Sequence, residues 1–322
     1  MTGGESGVSD FTSSLYLTVS TDQKRTGNYS YFINNGYIMQ SLPVQYAELF
    51  CSLAVRISTL AIAPTFLSFE NSGTSVVSIV GPSTTAPSVG CKLYVGATLV
   101  ATGNMVLSLN TWYILDLHII IHDVNGLIHF KVNGLDDAIY VGNTAIIASS
   151  VSEFRSKSSN SGIHLDDIII NDTAGTINNS WMGGSKIIAL RPIGPGSLTQ
   201  WTPSEGANWE CVGEAPISET DYVVGNIAGA IDLYDLSSLP AGVCSLDTFL
   251  GAKVFNSISR SGITTSYVES IIRTNSENTF TPPIAVPLIN TIESMIWDLN
   301  PITGTTWTYA DINALEVGVK LV

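Results

Sequence analysis

The chain has 322 residues, enough for two domains of ordinary size, with 45% hydrophobic and only 12% charged residues and a formal net charge of −14. So little charge excludes long solvent-exposed helices, whose outer faces need Lys and Glu, and favours strands and turns rich in Ser, Thr, Asn and Gly. The 13 Lys plus Arg are scattered through an acidic chain, which argues against nucleic acid as a partner and against an anionic membrane surface.

In chain order, the opening "MTGGESGVSD" lacks the basic start and apolar stretch of a signal peptide, and no run reaches the ~18 apolar residues of a membrane-spanning helix. The expectation is a soluble protein made in the cytoplasm without export. Strand-length apolar runs then recur between turn signals: 14–20, 25–33, 36–42, 47–58, 65–71 and 74–81, with a hairpin around Gly96 in 91–103. Residues 112–141 read as a three-stranded meander. Asn125-Gly126 and Asn133-Gly134 are each predicted to be a two-residue hairpin turn, because both residue types tolerate positive φ. Another strand follows at 162–172. Residues 173–220 are richer in Gly, Pro, Asn and Ser, with only 185–193 strand-like, and read as a connection. The β pattern resumes from 221, and a short helix from Tyr309 is predicted, with Thr308 as its cap and Asp311 in its first turn. The fold class is therefore all-β, with one β-sandwich over 1–172, a Gly/Pro-rich connection over 173–220, and a second β-sandwich with a short C-terminal helix over 221–322.

Residues 8–172 resemble a concanavalin A-like (laminin G-like) jelly roll. The features that carry the likeness are Trp112 at a strand start, "ILDLHIIIHD", Asn125-Gly126, "IHFKVNG" and "HLDDIII", with "RTGNYSYFI" upstream. A second likeness spans most of 162–322. The DD strand, "NDTAGTINNSWMGG", "IIALRPIGPG", Trp201, Trp209 before "ECVGE", and the ending "WDLNPITGTTWTYADINALEVGVKLV" are similar to stretches of tailed-bacteriophage virion structural proteins of tail or fibre type. That resemblance implies a repeated subunit on a particle exterior, in the tail or as head decoration, whose partners are other virion proteins and copies of itself.

Residues able to carry chemistry are few. Asp166 and Asp167 are adjacent in a strand, where side chains alternate, so they are predicted to face opposite sides and not to chelate one ion together. One would accept backbone N–H bonds at the sandwich edge while the other faces solvent. Some laminin G-like domains hold Ca²⁺ at the rim, and Asp172, Asp136 or Asp137 could contribute, but the dense oxygen cluster that Ca²⁺ requires is missing. The nearest match to a glycosidase carboxylate set is Glu219-Thr220-Asp221, with Val223 where a further Glu belongs. His118 and His122 fall on one strand face some ~13 Å apart, too far to share a metal, and with His129 they decorate that face. The cysteines, Cys51, Cys91, Cys211 and Cys244, have no CxxC spacing and are expected to be free and mostly buried. No catalytic residue, metal or cofactor is assigned. Trp112 and Trp297 are expected in the cores. Trp181, Trp201 and Trp209 lie in the connection, where they either pack between domains or form a platform for a host-surface glycan. The leading expectation is a non-enzymatic virion structural protein, and the alternative is a glycan-binding host-recognition module.

Overall fold

A computed structural model describes residues 11–214, 217–218 and 220–322. The chain divides into two compact units, Met1–Ile187 and Ile188–Val322. Both are all-β.

In unit 1 the strands are β1 (Ser13–Ser20), β2 (Ser30–Tyr46), β3 (Glu48–Thr59), β4 (Thr65–Asn71), β5 (Thr74–Val80), β6 (Lys92–Val95), β7 (Thr98–Thr102), β8 (Trp112–Ile120), β9 (Gly126–Val132), β10 (Leu135–Gly142) and β11 (Val151–Asn171). All pair antiparallel, in the order β10-β9-β8-β3-β11-β4-β5-β6-β7, with β2 also on β11 and β1 on β2. The 21-residue β11 serves two sheets. Its first part pairs with β4 and its last part with β3. The change of sheet falls where its register with β2 shifts, between Ser158 and Gly162, beside Asn160 and Asn35, both at φ 60°. Such an irregularity bends a strand sharply enough to turn a corner. The result is a nearly closed jelly-roll sandwich.

Alternation places the core. In β9 Ile128, Phe130 and Val132 point inward while Leu127, His129 and Lys131 point outward. Tyr31, Phe66, Phe69, Phe130 and Phe154 are fully buried in one continuous cluster. Each such side chain contributes roughly 1.5–3 kcal/mol by leaving water. The middle of β3 and the end of β11 are buried on both faces, so the outer face of this sheet must also be covered.

The meander at 112–141 is present, but its two turns differ. Asn133 and Gly134 form the expected two-residue turn, with φ of 52° and 79° and Leu135 opposite Val132. Asn125-Gly126 does not. Ile120 pairs with Leu127, leaving a six-residue connection in which His122 Nδ1 accepts the N–H groups of Val124 and Asn125. Gly126 is required for a different reason: a Cβ there would lie 2.1 Å from Thr144 Oγ1 and 2.5 Å from Gly142 O.

Unit 2 holds β12 (Pro192–Thr199), β13 (Thr202–Pro203), β14 (Val223–Val224), β15 (Ile231–Leu236), β16 (Ala252–Ile258), β17 (Tyr267–Thr274), β18 (Glu277–Phe280), β19 (Ile284–Ala285), β20 (Thr291–Trp297), α1 (Tyr309–Asn313) and β21 (Glu316–Leu321). The main sheet runs β12-β15-β21-β17-β18, with β19 on β17, while β16 and β20 form a separate ribbon. Val254 and Trp297 of the ribbon share a core with Ile272 of β17, Trp307 and Ile312, making the second sandwich. Trp307 Nε1 donates to Trp297 O at 2.9 Å. Thr308 caps α1 reciprocally with Asp311, a capping box.

The expected connection over 173–220 is therefore divided. Residues 173–187 belong to unit 1, whereas β12 is an integral strand of the unit 2 sheet. That strand is "PIGPGSLT", shifted from the apolar 185–193 run. Its two prolines occupy an edge, where a missing N–H costs no ladder bond.

Candidate functional site

The outer face of the β11-β3-β8-β9-β10 sheet gathers most of the polar chemistry of unit 1. Register sets it in two rows. One runs Asn171, Phe50, His118, His129, Ile139, and the next runs Ile169, Ser52, Asp116, Lys131, Asp136. Each imidazole is tied to a carboxylate: His118 Nε2 to Glu48 at 2.8 Å and His129 Nε2 to Asp136 at 2.6 Å. The hydrogen bond from His129 holds the Asp136 carboxyl below its ordinary pKa. His118 and His129 face each other across neighbouring strands, a pairing that the i, i+4 comparison of His118 with His122 could not reveal. Among the described residues no group of three His, Cys, Asp or Glu could hold a metal.

A strap, residues 173–187, lies over this face without joining any strand ladder. Asn171 Nδ2 donates to Asn178 O and Ser180 O at its start. Trp181 packs edge-on against Phe50, His118 and His129, with Lys131 Nζ 4.2 Å from its ring centroid. Gly183 passes over Asp116, where a Cβ would lie 3.5 Å from Oδ2. Asp116 is buried, and one of its oxygens has no partner among the described residues. Burial pushes its pKa up against the opposing pull of Ser52, Lys131 and Arg25.

The two aspartates close the end of the strap. They do not face opposite sides, contrary to the alternation argument. Asp167 has φ 49° and the β11–β3 register shifts between Asp166 and Ile169. This bulge turns both carboxylates toward the 25–26 turn. Asp166 Oδ2 accepts the N–H groups of Arg25 and Thr26, and its Oδ1 that of Asp167. Asp167 accepts from the Arg25 guanidinium, the Thr26 hydroxyl and Ile187 N, while Arg25 also donates to Gly184 O and Ser185 O. Both carboxylates are buried, so neither faces solvent. Burial and the Asp167 charge push Asp166 up to about 7, against the backbone N–H groups that favour its ionised form. Two residues earlier, burial lowers His164 to about 4, helped by Arg56.

No family model and no curated protein matches this chain. Solved structures overlap it in part. A sialidase matches at 10% identity and a TM-score of 0.37, covering 49% of this chain and 16% of its own length. A protein with a galectin-like fold from Bacillus subtilis matches at 13% identity and 0.38, covering 53% of this chain and 94% of that one. Domain 4 of an extracellular GH43 arabinanase from Geobacillus stearothermophilus, solved with arabinotriose, matches at 15% and 0.38, covering 48% and 74%. This chain thus spans less than a fifth of the sialidase.

The remaining sequence candidates scatter. Trp112 is half-buried on the outer face against His164, outside the sandwich core where it was expected, whereas Trp297 is in the unit 2 core. Of the three tryptophans considered for inter-domain packing or glycan contact, Trp181 finds its partners within unit 1. Trp201 finds them in unit 2, donating through Nε1 to Ala230 O with its ring against Gly225. Trp209 precedes a 3₁₀ turn over Glu210–Val212. Glu219 lies outside the described residues. Asp221 is hydrogen-bonded to Glu214, which raises Glu214 beyond the effect of its burial and lowers Asp221. Asp137 uses Oδ1 to accept Asn104 N and Met105 N. Cys51, Cys91 and Cys211 are buried free thiols, and Cys244 is a free exposed one. Among the described residues no helix is long and apolar enough to cross a membrane.

Sequence reading missed Asp232. It is fully buried and accepts from Gln200 N, Trp201 N, Asn208 Nδ2 and the Tyr234 hydroxyl. The D-x-Y spacing within "AIDLYDL" was the available signal, since a strand places those two side chains on one face.

Proposed function

We propose that the chain is a non-enzymatic structural subunit of a tailed bacteriophage, repeated on the particle exterior in the tail or as head decoration. The observation that carries this reading is where reactive and sticky groups end up. Three charged pairs of unit 1 are closed internally, Arg25 with Asp167, His118 with Glu48 and His129 with Asp136, while large aliphatics stay exposed in both units: Val141 at 70%, Ile289 at 76% and Ile263 at 96%. Ile139 and Val141 stand side by side on one strand face, and neighbouring exposed aliphatics on a β scaffold suit protein–protein contact. The phage setting rests on the sequence likeness over 162–322. Electron microscopy of the purified protein should find a symmetric assembly, and incubation with host capsule or cell-wall glycans should release no reducing ends or unsaturated products. A strictly monomeric protein, or glycan turnover, would sink this reading.

A second reading is favoured by Trp181. A half-buried indole flanked by Lys131 and two imidazoles on a sheet face can stack on a sugar ring. In that case Trp181→Ala should abolish host-cell binding while leaving assembly intact.

A further inference from the structure

Among the described residues β10 is the last strand of its sheet and pairs only with β9, while β7 approaches its other side without pairing. Ile139 stands opposite His129 and Val141 opposite Leu127, so both aliphatics project from the outer face. They are 51% and 70% exposed. The first half of this edge is closed by a bulge between Asp136 and Ala138 and by Asn104, whose side chain donates to Asp137 O. Among the described residues no strand pairs with the second half and no bulge interrupts it. Native edges are ordinarily blunted by charge, proline or a bulge, and the run Ala138–Ala145, "AIYVGNTA", carries neither charge nor proline.

We propose that residues 138–142 of β10 form an interface with a second copy of this chain, by antiparallel pairing of two β10 strands about a two-fold axis at Tyr140. The proposal rests on the assembled-subunit reading above and gives it a surface. A two-fold contact must be self-complementary. Centred on Tyr140, the register sets Ile139 beside the partner's Val141, and Val141 beside the partner's Ile139, making two aliphatic cross-strand pairs on one face. Asp136 falls beside the partner's Thr144 and Asp137 beside the partner's Asn143, so no like charges meet. Moving the centre to Ile139 would set Val141 against the buried Asp137 of the other copy. A shift of a single residue in pairing would put the outer face of one copy on the inner side of the other. For a chain of net charge −14, an uncharged edge is where copies can approach without repulsion.

Sedimentation equilibrium on the full chain tests this, with Val141→Lys, Ile139→Lys and, as a control in unit 2, Ile263→Lys. All three positions are exposed, and thermal melts verify that each variant folds. We expect concentration-dependent dimerisation that either β10 variant weakens at least ~10-fold, as one desolvated charge in a strand pairing would, and that Ile263→Lys leaves unchanged. Amide exchange at 138–142 should slow as concentration rises. Assembly that survives both β10 variants, or that only Ile263→Lys disrupts, overturns the β10 interface and leaves the assembled-subunit reading standing. A wild-type chain that is monomeric at every soluble concentration, with no added protection at 138–142, overturns both.

Discussion

The two units reach stability by different routes. Among the described residues, unit 1 buries 31 in one apolar cluster around a strand shared by two sheets. The corresponding unit 2 cluster has seven described members, three of them the side chains of Trp297, Trp307 and Ile312. Unit 2 relies instead on polar anchors: the four donors on Asp232, the indole bond of Trp307, Asn256 Nδ2 on Ser270 and the Thr308 cap. It is also the more acidic part, with fourteen Asp plus Glu against five Lys plus Arg over 188–322. Apolar packing spreads stability over many residues, so single losses are shared. A buried polar hub concentrates it, because removing the acceptor strands every donor.

That contrast can be broken in several places. The largest effect is expected at Asp232→Ala, which strands several buried neutral donors and should cost roughly 2–4 kcal/mol. In calorimetry it should lower a unit 2 transition and spare unit 1; one shared shift would show that the units do not unfold separately. Next comes Gly126→Val, which drives a side chain into Thr144 and Gly142 and should cost unit 1 about 1–3 kcal/mol. An unchanged melt would mean that the 121–126 connection yields. The buried Asp166 and His164 side chains should contribute opposing pH slopes of about 1 kcal/mol per pH unit. Asp166 keeps a proton in the fold up to about pH 7 that the unfolded chain loses near 4, so its contribution falls as pH rises between these values. His164 stays neutral in the fold down to about pH 4, whereas the unfolded imidazole charges below 6.5, so its contribution rises with pH over that window. Wild-type unit 1 should be nearly flat there, His164→Gln should lose stability with rising pH, and Asp166→Asn should gain it. Urea melts at three pH values decide this; parallel slopes in both variants would refute the compensation. The smallest effect, about 1 kcal/mol, is expected on unit 2 for Thr308→Ala, which removes the α1 cap.

Much of the fold was legible because alternation and turn chemistry are local. The 112–141 meander, the Gly96 hairpin and the capped helix each follow from a few neighbouring residues. Asn125-Gly126 misled because His122, three positions earlier, supplies an acceptor that organises a longer turn. Alternation likewise misplaced Asp167, since a bulge is set by what the strand must reach, here Arg25 and Ile187, and those partners are distant in sequence. The His118–His129 pair and the Asp232 hub depend on register and on loops returning from afar, so neither spacing nor composition could indicate them. Residues 173–187 read as a connection because they form no ladder, yet Trp181, Asn171 and Arg25 fix them to unit 1.

The double allegiance of β11 also bears on how the chain is made. Gly162 meets Ser58, 104 positions earlier, and the same strand completes β2, β3 and β4. At ribosomal speeds of about 5–20 residues per second, those strands wait roughly 5–20 s for their partner. During that interval their apolar faces and edges lie open, and the non-local pairing that ends it is intrinsically slow. Nascent chains that stall before residue 151 would carry an unfinished sandwich, the species most apt to aggregate or to engage a chaperone.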